Sequence, residues 1–295
     1  MALPLEAVPN FSEGRSAETI AALGDALARH AHVLDVHADP DHHRSVFTIA
    51  GSEAELVDAL VDGIACASER IDLRRHDGVH PRVGAADVVP LVAVWPEQLE
   101  AAKRAAFALA DRVGDGLGLP VFLYGEVAPG VRPALLRRGG VGELQRRIDA
   151  GELTPDRGPS RLDPTAGCVL VGARRPLIAF NVNLATDDLA VAQSIAAAVR
   201  ETDGGFSGVR ALGFPLAGRG RVQVSMNVED WEASPLEKIV ARIEAEAAAS
   251  GVEVAGSELV GLIPEGAARP GAAALRLASL DDSQLLEPRL SRRVS

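Results

Sequence analysis

Two cysteines in 295 residues, Cys66 and Cys168, exclude a disulfide framework and offer no paired spacing for a structural zinc site. They fit a reducing compartment. Aromatic residues make up 3% of the chain, too few for a stacking platform that tracks single-stranded nucleic acid. Nowhere do about 18 uncharged apolar residues follow one another, and the opening MALPLEAVPNFSEGR lacks a basic segment leading into an apolar run. The expectation is therefore no membrane insertion, no export and a cytoplasmic location. Basic residues are in deficit, 30 against 41 acidic, and the net charge of −11 disfavours long-range attraction to nucleic acid or to an anionic bilayer. A small anionic ligand can still use a local basic pocket. Also missing are a G-x-G-x-x-G turn after a strand, a Walker sequence, H-E-x-x-H and G-x-S-x-G, so nucleotide binding and serine hydrolysis have no support.

What is present is a long, apolar, strongly patterned chain. At 47% hydrophobic it can bury a substantial core, as one large domain or two of ordinary size. From residue 6 to about 127, apolar alternation and helical spacing follow one another: strand EAVPNFS, a helix from Ser16 to about His30, strands VLDVHAD and SVFTIAG, a helix, strand VVPLVAV, a helix, and strand VFLYGEV. Ser52 followed by Glu55 forms a capping box ahead of Leu56, Val57, Leu60 and Ile64 at helical spacing. A second run begins with GARRPLIAFNVNL. It continues with a helix from about Asp187 to Arg200, strands VRALGFPLAG and RVQVSMNVED around a glycine-rich turn, a helix opened by Ser234, Pro235 and Glu237, and strand GVEVAGSELVGLIP.

Both halves thus read β-α-β-β-α-β, the split βαβ or ferredoxin-like arrangement. The fold class expected is α/β (α+β), two such subdomains, each a mixed sheet with its helices on one face and a ligand cleft between them. The boundaries are residues 1–170 and 171–280, with a polar tail over 281–295. Between the halves, Gly151 to Cys168 carries three prolines and three glycines without apolar periodicity, which reads as a linker or as a loop bearing binding residues.

All seven histidines, at 30, 32, 37, 42, 43, 76 and 80, fall in the first 80 residues. His30 and His32 follow the first helix, where a cation is favoured by the helix dipole, and read as structural. The loop segment HADPDHHR holds His37, Asp39, Asp41, His42, His43 and Arg44, either as solvated loop or as site chemistry. The segment RRHDGVHPRVGAAD brings His76, His80 and Arg82 to the start of a strand. Imidazole takes and returns protons near neutrality, and guanidinium offers a fork for anions, a combination suited to an anionic substrate with a reacting amine.

Taken together, VPNFSEGR (8–15), DPDHHRSVFTIAG (39–51), RIDLRRHDGVHPRVGAADVVP (70–90), VFLYGEVA (121–128), GARRPLIAFNVNL (172–184), QVSMNVEDWEASPL (223–236) and GSELVGLIP (256–264) resemble the glutamate formiminotransferase family in content and order. The resemblance implies transfer of a formimino group between tetrahydrofolate, as 5-formiminotetrahydrofolate, and glutamate, as N-formimino-L-glutamate, in histidine degradation. Tetrahydrofolate is then a co-substrate, no metal is needed, and a homodimer is implied. His80 corresponds to the family's acid/base residue. The folate-contacting loop corresponds to Gly158, Pro159, Ser160, Arg161, Leu162, Asp163, Pro164, Thr165, Ala166 and Gly167. Asn10 matches the family motif as a substrate contact or as the holder of a turn. On chemical grounds Arg44, Arg82 and Arg174 are candidates for substrate carboxylates, against their reading as ordinary strand-end arginines.

Two departures stand out: Val79, where many relatives carry glutamate, and Ala166, where animal forms carry an aromatic residue. They motivate a rival with the same chemistry and another amine acceptor such as glycine. A metal hydrolase built on the histidine and aspartate cluster and a non-catalytic folate binder are further rivals. The charged end LDDSQLLEPRLSRRVS carries no sign of a cyclodeaminase domain.

Overall fold

A computed structural model describes residues 4–77 and 82–291, and the chain divides between Arg175 and Pro176 into two units with separate cores. The first strand is broken into β1 (Leu5–Ala7) and β2 (Asn10–Phe11) at Val8 and Pro9, because proline has no N–H to give the ladder. Helix α1 (Ala17–Ala28) starts at Ser16, whose side chain accepts from the Thr19 N–H. Then come β3 (His32–Asp39), β4 (Arg44–Gly51) and α2 (Glu53–Arg70), with the Ser52–Glu55 capping box formed as its sequence signature implies.

The unit continues with β5 (Ala86–Val92), α3 (Leu99–Asp111), β6 (Val121–Gly125), α4 (Pro133–Arg137), α5 (Gly140–Asp149) and β7 (Val169–Arg174). Around the broken first strand the sheet is antiparallel, in the order β3, β4, β1 with β2, β5. This is the ferredoxin-like order. Beyond β5 it extends by two parallel strands, β7 and then β6.

Three details differ from expectation. Helices cover the first sheet on both faces: α1 to α3 pack on Phe47, Ile49, Val121, Leu123 and Val171, while Leu136 of α4 and Leu144 and Ile148 of α5 pack on Phe122, Tyr124 and Leu170. The cause is visible in VFLY and CVLV, continuous apolar runs that need cover on both sides. The segment from Gly151 to Cys168 leads from α5 back into β7 of the same sheet, so it does not join the two units. GARRPLIAFNVNL is two strands in two sheets, split around Arg175 and Pro176.

The second unit is antiparallel throughout rather than mixed. It comprises β8 (Ile178–Leu184), α6 (Leu189–Val199), β9 (Val209–Leu216), β10 (Arg221–Val228), α7 (Leu236–Ala249) and β11 (Val254–Val260), in the sheet order β11-β8-β10-β9. Phe180, Val182, Val224 and Met226 turn to the α6 and α7 side. Ser234, read as the residue that opens α7, does not cap it. Helix α7 begins after Pro235, and the Ser234 hydroxyl donates instead to Ser207 O at 2.7 Å. Past β11 come short helices α8 (Glu265–Ala268), α9 (Gly271–Ala274) and α10 (Leu286–Ser291), the last burying Leu286 and Leu290 within the stretch read as polar tail.

Gly84, just ahead of β5, bridges Gly167, just ahead of β7. A Cβ on Gly84 would lie 2.0 Å from Cys168 O and 2.8 Å from Ala86 O, both rigid backbone atoms. Gly84→Ala is therefore expected to cost at least about 1–3 kcal/mol, as overpacking against backbone does. Urea denaturation tests this, and an unchanged midpoint would show that the two segments can part freely.

Candidate functional site

The polar chemistry of the first unit collects where β2 ends and where β3 turns into β4. Gly14 of VPNFSEGR lets this turn close, since a Cβ there would fall 2.2 Å from Asp39 O and 2.5 Å from Arg44 N. The Gly14 N–H donates to His43 Nδ1 at 3.1 Å, and His43 is one of two non-glycine residues with positive φ among those described. Asp39 shapes the turn from inside. Its Oδ1 accepts from the N–H groups of Asp41 and His42, both at 2.8 Å, and its Oδ2 lies 3.1 Å from His42 Nδ1. Burial opposes the Asp39 charge, but the hydrogen bonds from His42 prevail and hold the carboxyl far below the ordinary range.

Arg82 locks the same turn from the β5 side. Nη1 donates to His43 O at 3.0 Å and Nη2 to His42 O at 2.9 Å, while Nη1 also lies 2.7 Å from His76 Nε2. A guanidinium has no lone pair to offer, so His76 Nε2 must be the acceptor. Its 2.9 Å approach to His43 O is then two acceptors gathered around one donor. Burial first, and Arg82 second, push His76 down to about 4, so its ring is neutral at pH 7. The His43 and His76 rings stack at 4.2 Å, and burial likewise lowers His43. Val79 and His80 lie outside the described residues. Of their described neighbours, Asp77 pairs with Arg15 at 2.7 Å and Arg82 is fixed as above.

The entry to β5 is held by Asp87. Its Oδ1 accepts from the N–H groups of Val83 at 2.7 Å and Gly84 at 3.2 Å, and its Oδ2 pairs with Arg137 at the end of α4. Arg44 opens β4 in alternation with Phe47 and Ile49 of the α1–α3 core, which puts it on the opposite sheet face together with Asn10, the register partner of Val46. The Nε atoms of Arg44 and of Arg137 are both buried and have no hydrogen-bond partner among the described residues. Neither Asp87 nor Arg137 was singled out by sequence. Asp87 lies inside the GAADVVP block, but Arg137, in ALLRRGG, has no signal to separate it from a surface arginine.

The 158–167 loop is rigid and backbone-anchored. Asp163 Oδ1 accepts from Thr165 N and Oγ1 at 2.8 Å and from Ala166 N at 2.7 Å, and Asp163 and Gly167 exchange backbone hydrogen bonds. Gln145 of α5 accepts from Leu162 N, while Thr165 O and Ala166 O accept from Leu73 N and Ala85 N. Leu162, Ala166 and Gly167 are buried; Gly158, Pro159, Ser160, Arg161 and Pro164 are exposed, with Asp163 and Thr165 between. A cleft of about 370 Å³ separates the loop from α5, lined by Gln145, Asp149, Ser160, Arg161 and Asp163 among others.

The structure thus joins Asn10, Arg44 and Arg82 at one end of the sheet and ties the 158–167 loop to the same β5 entry. Arg174 stands apart, opposite Val92 at the far end of β7. Asn10 uses its amide to hold Val8 O at 2.9 Å. Among the described residues no three His, Cys, Asp or Glu side chains are placed to hold a metal ion, and no helix is long and apolar enough to cross a membrane.

Because His76 titrates below its ordinary value of 6.5, its full contribution to stability is present above 6.5 and is lost as pH falls towards about 4, the unfolded chain taking up its proton first. His76→Gln keeps an acceptor for Arg82 without this titration. The stability advantage of wild type over His76→Gln is expected to shrink between pH 6.5 and 4 in urea titrations. A pH-independent difference would mean that the ring is not held neutral.

Comparison with known proteins accounts for both units together. Residues 4–174 match the family model described as the formiminotransferase domain, N-terminal subdomain, and residues 179–274 match that of the formiminotransferase domain. A protein of Thermoplasma acidophilum named glutamate formimidoyltransferase is 40% identical, covering 98% of this chain and 97% of its own. One of the same name from Streptococcus pyogenes serotype M1 is 38% identical over 90% of each chain. The formimidoyltransferase-cyclodeaminase of Sus scrofa is 37% identical over 88% of this chain and 50% of its own length. With both subdomain models matched in order and the sheet boundary falling between them, the chain belongs to the formiminotransferase family.

Proposed function

We propose that this chain is a glutamate formimidoyltransferase, moving a formimino group between N-formimino-L-glutamate and tetrahydrofolate. The observation that carries the reading is the full-length similarity to two proteins of that name, at 40% and 38% identity. Tetrahydrofolate as co-substrate, histidine degradation as setting, a cytoplasmic location and a homodimer belong to the same proposal.

The chemistry needs one proton to change places. Towards glutamate, the amine nitrogen attacks the formimino carbon, a new C–N bond forms, the bond from that carbon to the folate nitrogen breaks, and the amine proton ends on that nitrogen. A single imidazole can take the proton and return it, and His80 is assigned that role. Arg82 donates to His42 O, His43 O and His76, which supports a positioning role for it, with its positive charge beside the site. Within the folate loop, exposed Pro159, Ser160, Arg161 and Pro164 are the contacting residues, and Arg161 suits an anionic folate tail. Leu162, Ala166 and Gly167 hold the loop in shape. Ala166 is 4% exposed and packs into the core, so it acts on substrate choice through loop position rather than contact.

Transfer between 5-formiminotetrahydrofolate and glutamate, measured for wild type and His80→Ala, tests the reading. Loss of an acid/base residue is worth roughly 10²- to 10⁴-fold, so kcat is expected to fall by that much in a mutant with an unchanged melting curve. Turnover with glycine but not glutamate would replace the acceptor. Tight folate binding without turnover by wild type would leave a non-catalytic relative.

A further inference from the structure

We propose that Arg44 and Arg137 together form a receptor for a substrate carboxylate, Arg137 being the half of it that sequence conceals. The existence of the receptor rests on the structure of the first unit; its assignment to a substrate rests on the function proposed above.

The charges nearby are not evenly matched. Asp39 is engaged by His42 and two backbone N–H groups, and Asp87 by two backbone N–H groups and Arg137. Arg82 is engaged by two carbonyls and His76. Among the described residues, nothing accepts from the guanidinium of Arg44, whose Nε is buried. Arg137 gives Nη2 to Asp87 and keeps its own buried Nε unmatched. Both arginines are half-buried, and a buried Nε–H that meets no acceptor among the described residues is unfavourable in the free protein.

The placement explains how one anion can satisfy both. Arg44 stands on the sheet face turned away from α1–α3. Arg137 reaches this region from α4, on the same side, to meet Asp87 at the start of β5. Burial first, and the charge of Arg137 second, lower Arg44 to about 10, in keeping with their placement on one side of the sheet. Two guanidinium groups on one side of the sheet match a planar carboxylate, which accepts up to four N–H bonds, better than they match a neutral group. The carboxylate can come from the amino acid or from the glutamyl tail of the folate.

The test uses the whole chain. Ligand-free Arg44→Gln is expected to melt at or above the wild-type temperature, because a half-buried cation whose Nε meets no acceptor among the described residues is removed from beside a second cation. Glutarate, a diacid without an amine, is expected to raise the melting temperature of wild type and not of Arg44→Gln. In the transfer assay, Arg44→Gln and Arg137→Lys, which preserves a cation for Asp87, should each raise one KM on the order of 10- to 100-fold, the worth of a charge-assisted hydrogen bond. A raised amino-acid KM assigns the carboxylate to glutamate; a raised folate KM assigns it to the tail. A less stable Arg44→Gln, or variants with both KM values and the glutarate response intact, would overturn the receptor. Glutarate stabilisation that depends on Arg44 in a protein without transfer activity would keep the receptor and sink the function.

Discussion

A single carboxylate, that of Asp87, organises the first unit around the β5 entry. It is buried, yet both of its oxygens are engaged, by the N–H groups of Val83 and Gly84 and by the guanidinium of Arg137. Burying an ionised carboxylate is tolerable only when it is matched in this way. The match fixes the chain just after Arg82, and Arg82 in turn fixes the β3–β4 turn through two carbonyls. The same short stretch lies against the 158–167 loop through Gly84, Gly167 and the Ala85 N–H to Ala166 O bond. The β3–β4 turn, the β5 entry, α4 and the β7 entry therefore hold their places through one small set of hydrogen bonds.

Much of this was legible in residues. The Ser52–Glu55 capping box, the alternation in SVFTIAG and the split βαβ order are local signals, and local signals survive folding. What was hidden depends on partners distant in sequence. Insertion of β7 between β5 and β6 has no signature in either strand, so the stretch before it looked like a linker between halves. Ser234 had the spacing of a cap, but Ser207 O offered a better partner than the helix. Arg44, Arg82 and Arg174 are chemically alike on paper. They differ in what accepts from them: carbonyls of the β3–β4 turn and His76 for Arg82, the Arg175 carbonyl at the far end of the strands for Arg174, and for the buried Nε of Arg44 nothing among the described residues. Arg137 is illegible because α4 is a five-residue helix without amphipathic pattern.

The family blocks read better than their roles did. VPNFSEGR contains Gly14, where backbone crowding leaves no room for a side chain, and Ser12, whose hydroxyl donates to Gly84 O at 2.7 Å. Much of the motif's identity is thus explained by packing of backbone on backbone. Asn10 likewise spends its amide on Val8 O, which supports its reading as the holder of a turn without removing it from the face that carries Arg44.

The position of β7 also sets an order of events in time. Its register partners on β5 lie about 80 residues earlier in the chain, and those on β6 about 50. Contacts of such separation form late, because the loss of chain freedom precedes the reward. Joining β1 to β5 within the ferredoxin-like part spans an equal length of chain, so what sets β7 apart is that it is the last strand of the unit in chain order, and it must enter between β5 and β6. Until that strand docks, Gly167 has no Gly84 to meet and Ala166 has no amide to accept. A first unit emerging during synthesis therefore has its other strands before the 158–167 loop can close on the β5 entry, since Gly167 and the strand that follows it arrive last.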